Sequence, residues 1–252
     1  MQDFMKRIAV FFGLLAMGSL GAMYQSNPLA PELIDKGLAI RQDFPLGVKA
    51  GYQFDRIFDR YLSLSNVSGY VSEAKILANQ GVLTLNFYDM VEVWGSSGAA
   101  NFHIVDKVQL PTGGHQSIHP SSRSGWIWGT GIRSSLFTWG NTTLGGSASY
   151  ENAHPRHLHY SEWQIGFGLA QKISFFIPYI GGNFSRAKAS LRHVPHGTLV
   201  GYPKLDTVKM HNRNHWGLAV GCDFCTGKFA DVGFEFRAFS ELALTAKADI
   251  KF

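Results

Sequence analysis

The sequence has few cysteines, little charge and no long apolar run beyond its amino terminus. Charged residues make up 16% of the 252 residues, and Cys222 and Cys225 are the two cysteines. A zinc site built from two C-x-x-C pairs is therefore excluded. No stretch of 18 or more apolar residues follows residue 22, so the mature chain has no candidate transmembrane helix. G-x-S-x-G and H-E-x-x-H are also absent, and we expect neither catalysis nor a cofactor.

The carboxyl end shows strict alternation of apolar and polar residues. Between Leu242 and Phe252, every second residue is apolar, and the intervening positions include Lys247, Asp249 and Lys251. A strand of an outer-membrane barrel has this pattern, because lipid meets one face and the lumen meets the other. A half-buried edge strand of a soluble protein is the alternative. We interpret Phe252 as a carboxy-terminal assembly signal for the barrel assembly machinery.

The amino terminus is typical of an export signal. Lys6 and Arg7 precede an apolar run at residues 8–15, which small residues follow. This run is too short to cross roughly 30 Å of hydrocarbon as a helix. The sequence therefore predicts a signal peptide at residues 1–22, a leader at 23–44 that lies in the lumen or the periplasm, and a barrel at 45–252.

Segments of period two recur along the chain and predict an all-β fold. We expect a transmembrane antiparallel β-barrel of about 10–12 strands. Gly140 and Asn141 lie between two such segments and predict a hairpin turn. Residues 59–80 are polar; they could hold a second strand, and 73–78 could form a helical turn. Residues 106–123 and 190–207 are predicted to be loops.

Charged residues on the polar faces of these segments are candidates for the wall of a pore. Both signs are present, as a wet lumen that tunes ion passage would have. The alternative is that they pair with one another inside a small closed barrel. The candidate pore-lining residues are Lys49, Asp55, Arg56, Asp231, Glu235, Arg237, Lys247 and Asp249.

The cysteines and histidines allow several interpretations. Cys222 and Cys225 form a C-x-x-C between two alternating segments, where it is expected to span a turn. A small structural disulfide, free thiols and an intermolecular bridge all remain open, and catalysis is disfavoured. Loop histidines at 154, 157, 159, 193 and 196 have spacings that can bind zinc or copper, but no further ligand is placed to complete a site. We favour solvated histidines and predict no metal.

Several segments resemble the chlamydial major outer membrane protein, a porin family. The likeness spans most of the mature chain, and the residues from Trp216 to Phe252 resemble the last three strands of the family. The most specific segment is EWQIGFGLAQKISFFIPYIGGNFSRAKA at residues 162–189. The other matching segments are SNPLAPELIDKG at 26–37, GVKAGYQFDRIFDRYL at 47–62, TLNFYDMVEVWGSSGA at 84–99 and GIRSSLFTWGNTTLGGSASY at 131–150.

The resemblance implies a trimeric, disulfide-rich general porin and surface antigen of a bacterial outer membrane. With two cysteines and a shorter chain, this sequence lacks the features of a cross-linked envelope. We therefore expect a multi-pass outer-membrane porin for passive diffusion of ions and small hydrophilic solutes, surrounded by outer-membrane lipid. A homotrimer is implied by the resemblance, and a nucleic-acid partner is not expected. The alternative is a non-conducting structural or adhesive barrel.

Overall fold

The computed structural model describes most of the segment that the sequence assigns to the barrel. The described residues are 27, 28, 30–33, 46–66, 68–109, 115–118, 123–192, 207–225 and 229–252. The predicted signal peptide and the histidines at 193 and 196 lie outside these residues.

Ten long antiparallel strands within the described residues close into a barrel. Neighbouring strands pair in the order β1, β3, β4, β6, β7, β8, β9, and the order continues through β11, β12 and β13 back to β1. Three short strands, β2, β5 and β10, extend this wall. The predicted fold class is confirmed. The strand bounds are Leu46–Arg60 (β1), Leu62–Leu64 (β2), Gly69–Phe87 (β3), Val91–Gln109 (β4), His115–Ile118 (β5), Arg123–Trp139 (β6), Thr142–Pro155 (β7), Leu158–Gln171 (β8), Phe176–Arg192 (β9), Thr207–Asn212 (β10), Trp216–Cys225 (β11), Ala230–Ala238 (β12) and Glu241–Lys251 (β13).

The connections divide the barrel into two different ends. At the end where β1 begins, the turns at 88–90, 140–141 and 172–175 are short; we call it the short-turn end. At the opposite end, which we call the long-loop end, β4 and β9 end, and the sequence has its longest separations before the next long strands, residues 110–122 and 193–215. Among the short turns, the predicted hairpin at Gly140 is confirmed. Its φ of 58° and the pairing of Trp139 with Thr142 fit a type II′ turn, which requires glycine at this position.

The faces of the strands are reversed relative to a water-soluble protein. On β12, Glu235 and Arg237 are 1% and 4% exposed, whereas Phe234 and Phe236 are 44% and 46% exposed. Because opposed residues of paired strands share a face, the apolar set continues on β13, where Leu244 lies opposite Phe236. Polar side chains therefore fill the interior and apolar side chains cover the outer wall, as in a membrane barrel.

The apolar outer wall has the height of a bilayer core. On β6, exposed Trp128 and Trp139 lie near opposite ends of the barrel, eleven residues apart. At about 3.3 Å per residue and a tilt of about 35–45°, this separation is roughly 25–30 Å along the barrel axis. No helix among the described residues is long and apolar enough to span a membrane, a finding that concerns helices only.

Candidate functional site: the interior of the barrel

The inward-facing side chains form three layers between the long-loop end and the short-turn end. Along β3, the buried inward residues change from Ile76 and Ala78 to Gln80 and then to Asn86. The same order recurs on β8, where Leu158 and Tyr160 precede Glu162. The interior thus has an apolar layer near the long-loop end, a central charged cluster, and a second charged cluster near the short-turn end.

Arg237 is the hub of the central cluster. Its Nη2 donates to both carboxylate oxygens of Asp55, at 2.8 and 3.1 Å, and its Nε donates to Glu241 Oε1 at 2.6 Å. The remaining Nη1 reaches Glu235 Oε1 at 3.3 Å and Thr245 Oγ1 at 2.5 Å. Five donors in one planar group allow arginine to hold several acceptors at once.

Arg60 connects the central cluster to the opposite wall. Its Nη1 contacts Glu241 Oε2 at 2.6 Å, and its Nη2 forms an ion pair with Glu162 of β8. Tyr160 donates its hydroxyl hydrogen to Glu162 at 2.5 Å. The central cluster, defined as Asp55, Arg60, Glu162, Glu235, Arg237 and Glu241, thus bridges the lumen and has four carboxyl groups facing two guanidinium groups.

The cluster near the short-turn end is richer in cations. Glu92 accepts from Lys49 at 2.9 Å and from Arg133 at 2.5 Å. Asp231 accepts from Lys251 at 2.8 Å, and the Arg133 guanidinium lies over the Trp94 ring at 5.4 Å. This short-turn cluster consists of Lys49, Glu92, Arg133, Asp231, Lys247, Asp249 and Lys251.

Apolar side chains close the interior near the long-loop end. Phe102 packs on Tyr160 with ring centroids 5.5 Å apart, within a cluster that includes Ile57, Leu158 and Met210. A cavity of about 10 Å³ lies beside Phe102, Leu158 and Met210. At this level buried apolar side chains from several strands fill the described interior.

The leader enters the interior at the short-turn end. A 3-10 helix at Ala30–Leu33 lies beside β4 and β6, and the Pro31 carbonyl accepts a hydrogen bond of 2.8 Å from Asn86. Buried Asn27 donates to Asp223. At Gly145 a Cβ atom would lie 2.5 Å from Pro28, so a side chain there would displace the leader. Leader residues and charged residues together close this end.

Most of the predicted pore-lining residues face the interior, but Arg56 does not. Lys49, Asp55, Asp231, Glu235, Arg237, Lys247 and Asp249 point inward and are paired. Arg56 is exposed on the outer wall opposite Leu244 and stacks on the Phe58 ring at 5.0 Å. Its prediction was wrong because adjacent residues of a strand face opposite sides, so Asp55 and Arg56 cannot both line the lumen.

Sequence reasoning missed several members of the two clusters. Arg60 escapes the alternation because the register shifts between Ile57 and Asp59, which turns Ile57 and Arg60 to the same side. By contrast, the alternation of residues in the sequence does indicate that Glu92 and Glu162 belong to polar faces of strands. Glu92 lies between Val91 and Val93, and Glu162 continues the polar face of β8.

The two cysteines are free and lie within a strand. Cys222 and Cys225 belong to β11, not to a turn, and neither forms a disulfide in the structure. Cys222 pairs with outward-facing Phe234, whereas Cys225 pairs with inward-facing Asp231. Three residues of a strand span roughly 10 Å, beyond the reach of a disulfide. The expected turn was wrong, and strand geometry excludes the bridge between them.

Three of the histidines gather at the long-loop end around the turn between β7 and β8. His154 Nδ1 and His159 Nδ1 are 3.0 Å apart, and their rings are tilted by 35° with centroids 4.5 Å apart. Together with His157 and Arg192 they line an open cavity of about 400 Å³. Within the described part of the chain, no three side chains of the metal-ligating types are arranged to hold one metal ion.

Comparison with known proteins identifies similar porins. No family model matches the sequence. The chain is 21% identical over 297 aligned positions to the major outer membrane porin, serovar F, of Chlamydia trachomatis, covering 74% of this chain and 75% of that porin. It is also 21% identical to the major outer membrane porin of Chlamydia pneumoniae, covering 81% and 77% of the two chains. The chain is a distant relative of these porins.

Solved barrels show weaker similarity. The beta domain of a Bordetella autotransporter matches with a TM-score of 0.41 and 9% identity, covering 83% of this chain and 99% of that domain. The outer membrane protein OprG of Pseudomonas aeruginosa matches with a TM-score of 0.37 and 10% identity, covering 87% and 98%. The fold assignment rests on the strand pairing of the chain itself. With its apolar outer wall and its porin relatives, the protein is an outer-membrane β-barrel.

Proposed function

We propose that this protein is an outer-membrane porin that allows passive diffusion of ions and small hydrophilic solutes through its interior. The observation that carries this proposal is the inner wall, where charged residues of both signs face one another across the lumen. Its similarity to porins supports the same role and gives no support to an enzymatic one. The structure then corresponds to a closed state.

Opening of this closed state requires movement of its three obstructions. Arg60, Glu92 and Arg237 are almost completely buried, so these side chains contact other protein groups instead of water in the lumen. Ion pairs inside a barrel can exchange partners with water and with passing ions, whereas the apolar layer must separate. We propose that the leader, the central cluster and the apolar layer act as three gates in series.

The central cluster is proposed to set the charge preference. Its four carboxyl groups outnumber its two guanidinium groups, and rings of acidic side chains favour cations. The seven inward-facing residues predicted from the sequence, with Arg60, Glu92, Arg133 and Glu162, form the proposed pore wall.

Liposome swelling tests the proposal. We expect liposomes that contain the refolded protein without residues 1–22 to admit a monosaccharide faster than a disaccharide. Arg237→Ala should increase the rate for both sugars, because it removes the hub of the central cluster. Arg56→Ala is the matched control on the outer wall and should leave the rates unchanged. Equal rates for liposomes with and without folded barrel would contradict the porin assignment.

A non-conducting structural barrel is the second candidate, and the packed interior favours it. In that case the buried ion pairs and the apolar layer fix the shape of the barrel instead of gating it. The two functions differ in the behaviour of Arg237→Ala. A structural barrel becomes less stable after this substitution and still admits no sugar.

Lipid, further copies of the chain and the barrel assembly machinery are proposed as partners of the protein. Outer-membrane lipid contacts the apolar wall, and a homotrimer follows from the resemblance to trimeric porins. Chemical cross-linking in detergent should give a ladder that ends at three subunits. Phe252 is proposed to be recognised during assembly, and Phe252→Ala should lower the amount of folded protein in the outer membrane.

A further inference from the structure

Basic side chains are concentrated on one part of the outer wall, towards the long-loop end. On β9, Arg186, Lys188 and Arg192 are exposed, and on the neighbouring β10 so is Lys209. Arg213, directly after β10, is also exposed. We call these five residues the cationic strip. They lie on adjacent strands, since Lys209 is directly opposite Ser190 and His211 is directly opposite Lys188.

The strands that carry the cationic strip, and their neighbours β7 and β8, present no acidic side chain on the described part of their outer faces. No member of the strip forms an ion pair among the described residues. Lys75, an exposed cation on β3, differs in that it is paired with Glu73. Lys209 lies diagonally between Lys188 and Arg192 across the two strands, where like charges repel one another, so the strip suits an anion from outside the described residues.

The position of the strip relative to the bilayer identifies that anion. Exposed Phe167 and Ile180 lie nearer the short-turn end of β8 and β9. Next come the aromatic residues Trp163, Phe184 and Trp216, where Phe184 lies 5.4 Å from Trp163 and 5.2 Å from Trp216 between ring centroids. Arg186 follows two residues after Phe184, opposite Trp163.

Aromatic belts mark the boundary between hydrocarbon and headgroups. Because longer loops of bacterial barrels face outward and short turns face the periplasm, the strip lies at the headgroups of the outer leaflet. Its guanidinium and ammonium groups suit phosphate, which accepts several charge-assisted hydrogen bonds.

We propose that the cationic strip binds the phosphate groups of phosphorylated glycolipids in the outer leaflet. The lipid chains lie along the apolar wall of β8 and β9, and the headgroup phosphates bridge Arg186, Lys188, Lys209 and Arg213. This interaction fixes lipid to one side of the barrel and balances the repulsion between the basic groups. It does not depend on whether the barrel conducts.

Lipid titration followed by native mass spectrometry tests the proposal. The refolded protein in non-ionic detergent is titrated with bisphosphorylated lipid A and, in parallel, with the same lipid after removal of both phosphates. We expect the phosphorylated lipid to bind at least about tenfold more tightly, since each basic residue near an anionic lipid surface contributes about fivefold. The preference should weaken as salt increases.

Two charge-removal variants with equal numbers of substitutions separate the strip from general electrostatics. The strip variant carries Arg186→Gln, Lys188→Gln, Lys209→Gln and Arg213→Gln and should lose most of the preference for phosphorylated lipid. The control variant carries Lys75→Gln, Lys107→Gln, Arg123→Gln and Lys172→Gln and should keep it. Heat-modifiable gel mobility establishes that both variants are folded.

Three outcomes would overturn the proposal. They are equal affinity of the native protein for the two lipids, equal losses in the two variants, and displacement of the lipid by inorganic phosphate at low concentration. The last would indicate a site for a free anion. If the strip variant does not fold, the paired substitutions Arg186→Gln with Lys188→Gln and Lys209→Gln with Arg213→Gln are measured separately. Each pair should lower the preference, and no loss in either would contradict the proposal.

Discussion

Arg237 is the residue on which most of the interior depends. It is almost completely buried and contacts four side chains on β1, β12 and β13. Removal of one partner from a buried ionic network leaves the others without compensation, which costs far more than the loss of a surface pair. The arginine therefore stabilises the barrel chiefly because its carboxylate partners are already buried there.

Arg237→Ala should lower the free energy of unfolding by about 3–5 kcal/mol, the range for an uncompensated buried charge. Urea titration of the protein refolded into lipid vesicles measures this value. Arg56→Ala is the matched control, because Arg56 is exposed on the outer wall, where its guanidinium lies over the Phe58 ring. Similar small decreases in the free energy of unfolding for both variants would show that the central cluster does not stabilise the barrel.

Phe234 tests which face of β12 meets lipid. It is outward and 44% exposed in the middle of a nine-residue strand. Phe234→Arg should lower the free energy of folding into a bilayer by roughly 2–4 kcal/mol, the cost of an arginine near the membrane centre. Phe229→Arg, just before the same strand, should cost at most about 1 kcal/mol. The reverse order of the two costs would overturn the assignment of the faces.

At the residue scale, the alternation of side chains predicts the direction of a residue only while the register is regular. It gives the inward positions of Lys49, Asp55 and Asp231 correctly. Arg60 lies beyond a register shift in β1, which no sequence pattern reveals. The partners of these residues could not be predicted either, because Arg60 and Glu162 are brought together by the curvature of the whole barrel.

Among the elements, β11 makes a distinct prediction about its two thiols. Because Cys222 and Cys225 face opposite sides of the strand, mild oxidation of the folded monomer should leave both thiols free. Thiol counting under denaturing conditions measures this. In a Cys222→Ser and Cys225→Ser background, Val220→Cys with Phe236→Cys should form a bridge, since these positions are directly opposed. Loss of both native thiols in a monomer would contradict the strand assignment.

The leader element makes a prediction about the short-turn end. Deletion of residues 27–33 removes the contacts with Asn86 and Asp223, so sugars should enter liposomes faster than with the native barrel. Asn27→Ala removes one of these contacts and should have a smaller effect in the same direction. Unchanged entry after the deletion would show that the leader does not obstruct the path.

Element boundaries were predicted less well than element types. The hairpin at Gly140 was readable, because its glycine and asparagine are typical of tight turns. Residues 73–78 form part of the 19-residue strand β3 instead of a helical turn. Ala74, Ile76 and Ala78 face the interior, and the charged Glu73 and Lys75 face outward, where the long-loop end extends beyond the apolar band. The predicted loop at 106–123 contains the end of β4 and all of β5.

For the whole molecule, the sequence predicts the barrel but not the state of its interior. Alternation is a local property, and it reports that a face is polar without reporting whether water or another side chain meets that face. The packing of the leader, the two charged clusters and the apolar layer depends on the diameter of a ten-strand barrel. Ten strands leave a lumen that long side chains can fill.

Single-channel conductance of the refolded protein without residues 1–22 tests the central claim most directly. The protein is inserted into a planar bilayer that separates two concentrations of potassium chloride. We predict discrete openings separated by long closed intervals, more frequent openings for Arg237→Ala, and a reversal potential that indicates cation preference. A folded barrel that never conducts, with and without Arg237, would contradict the porin account and leave the structural barrel.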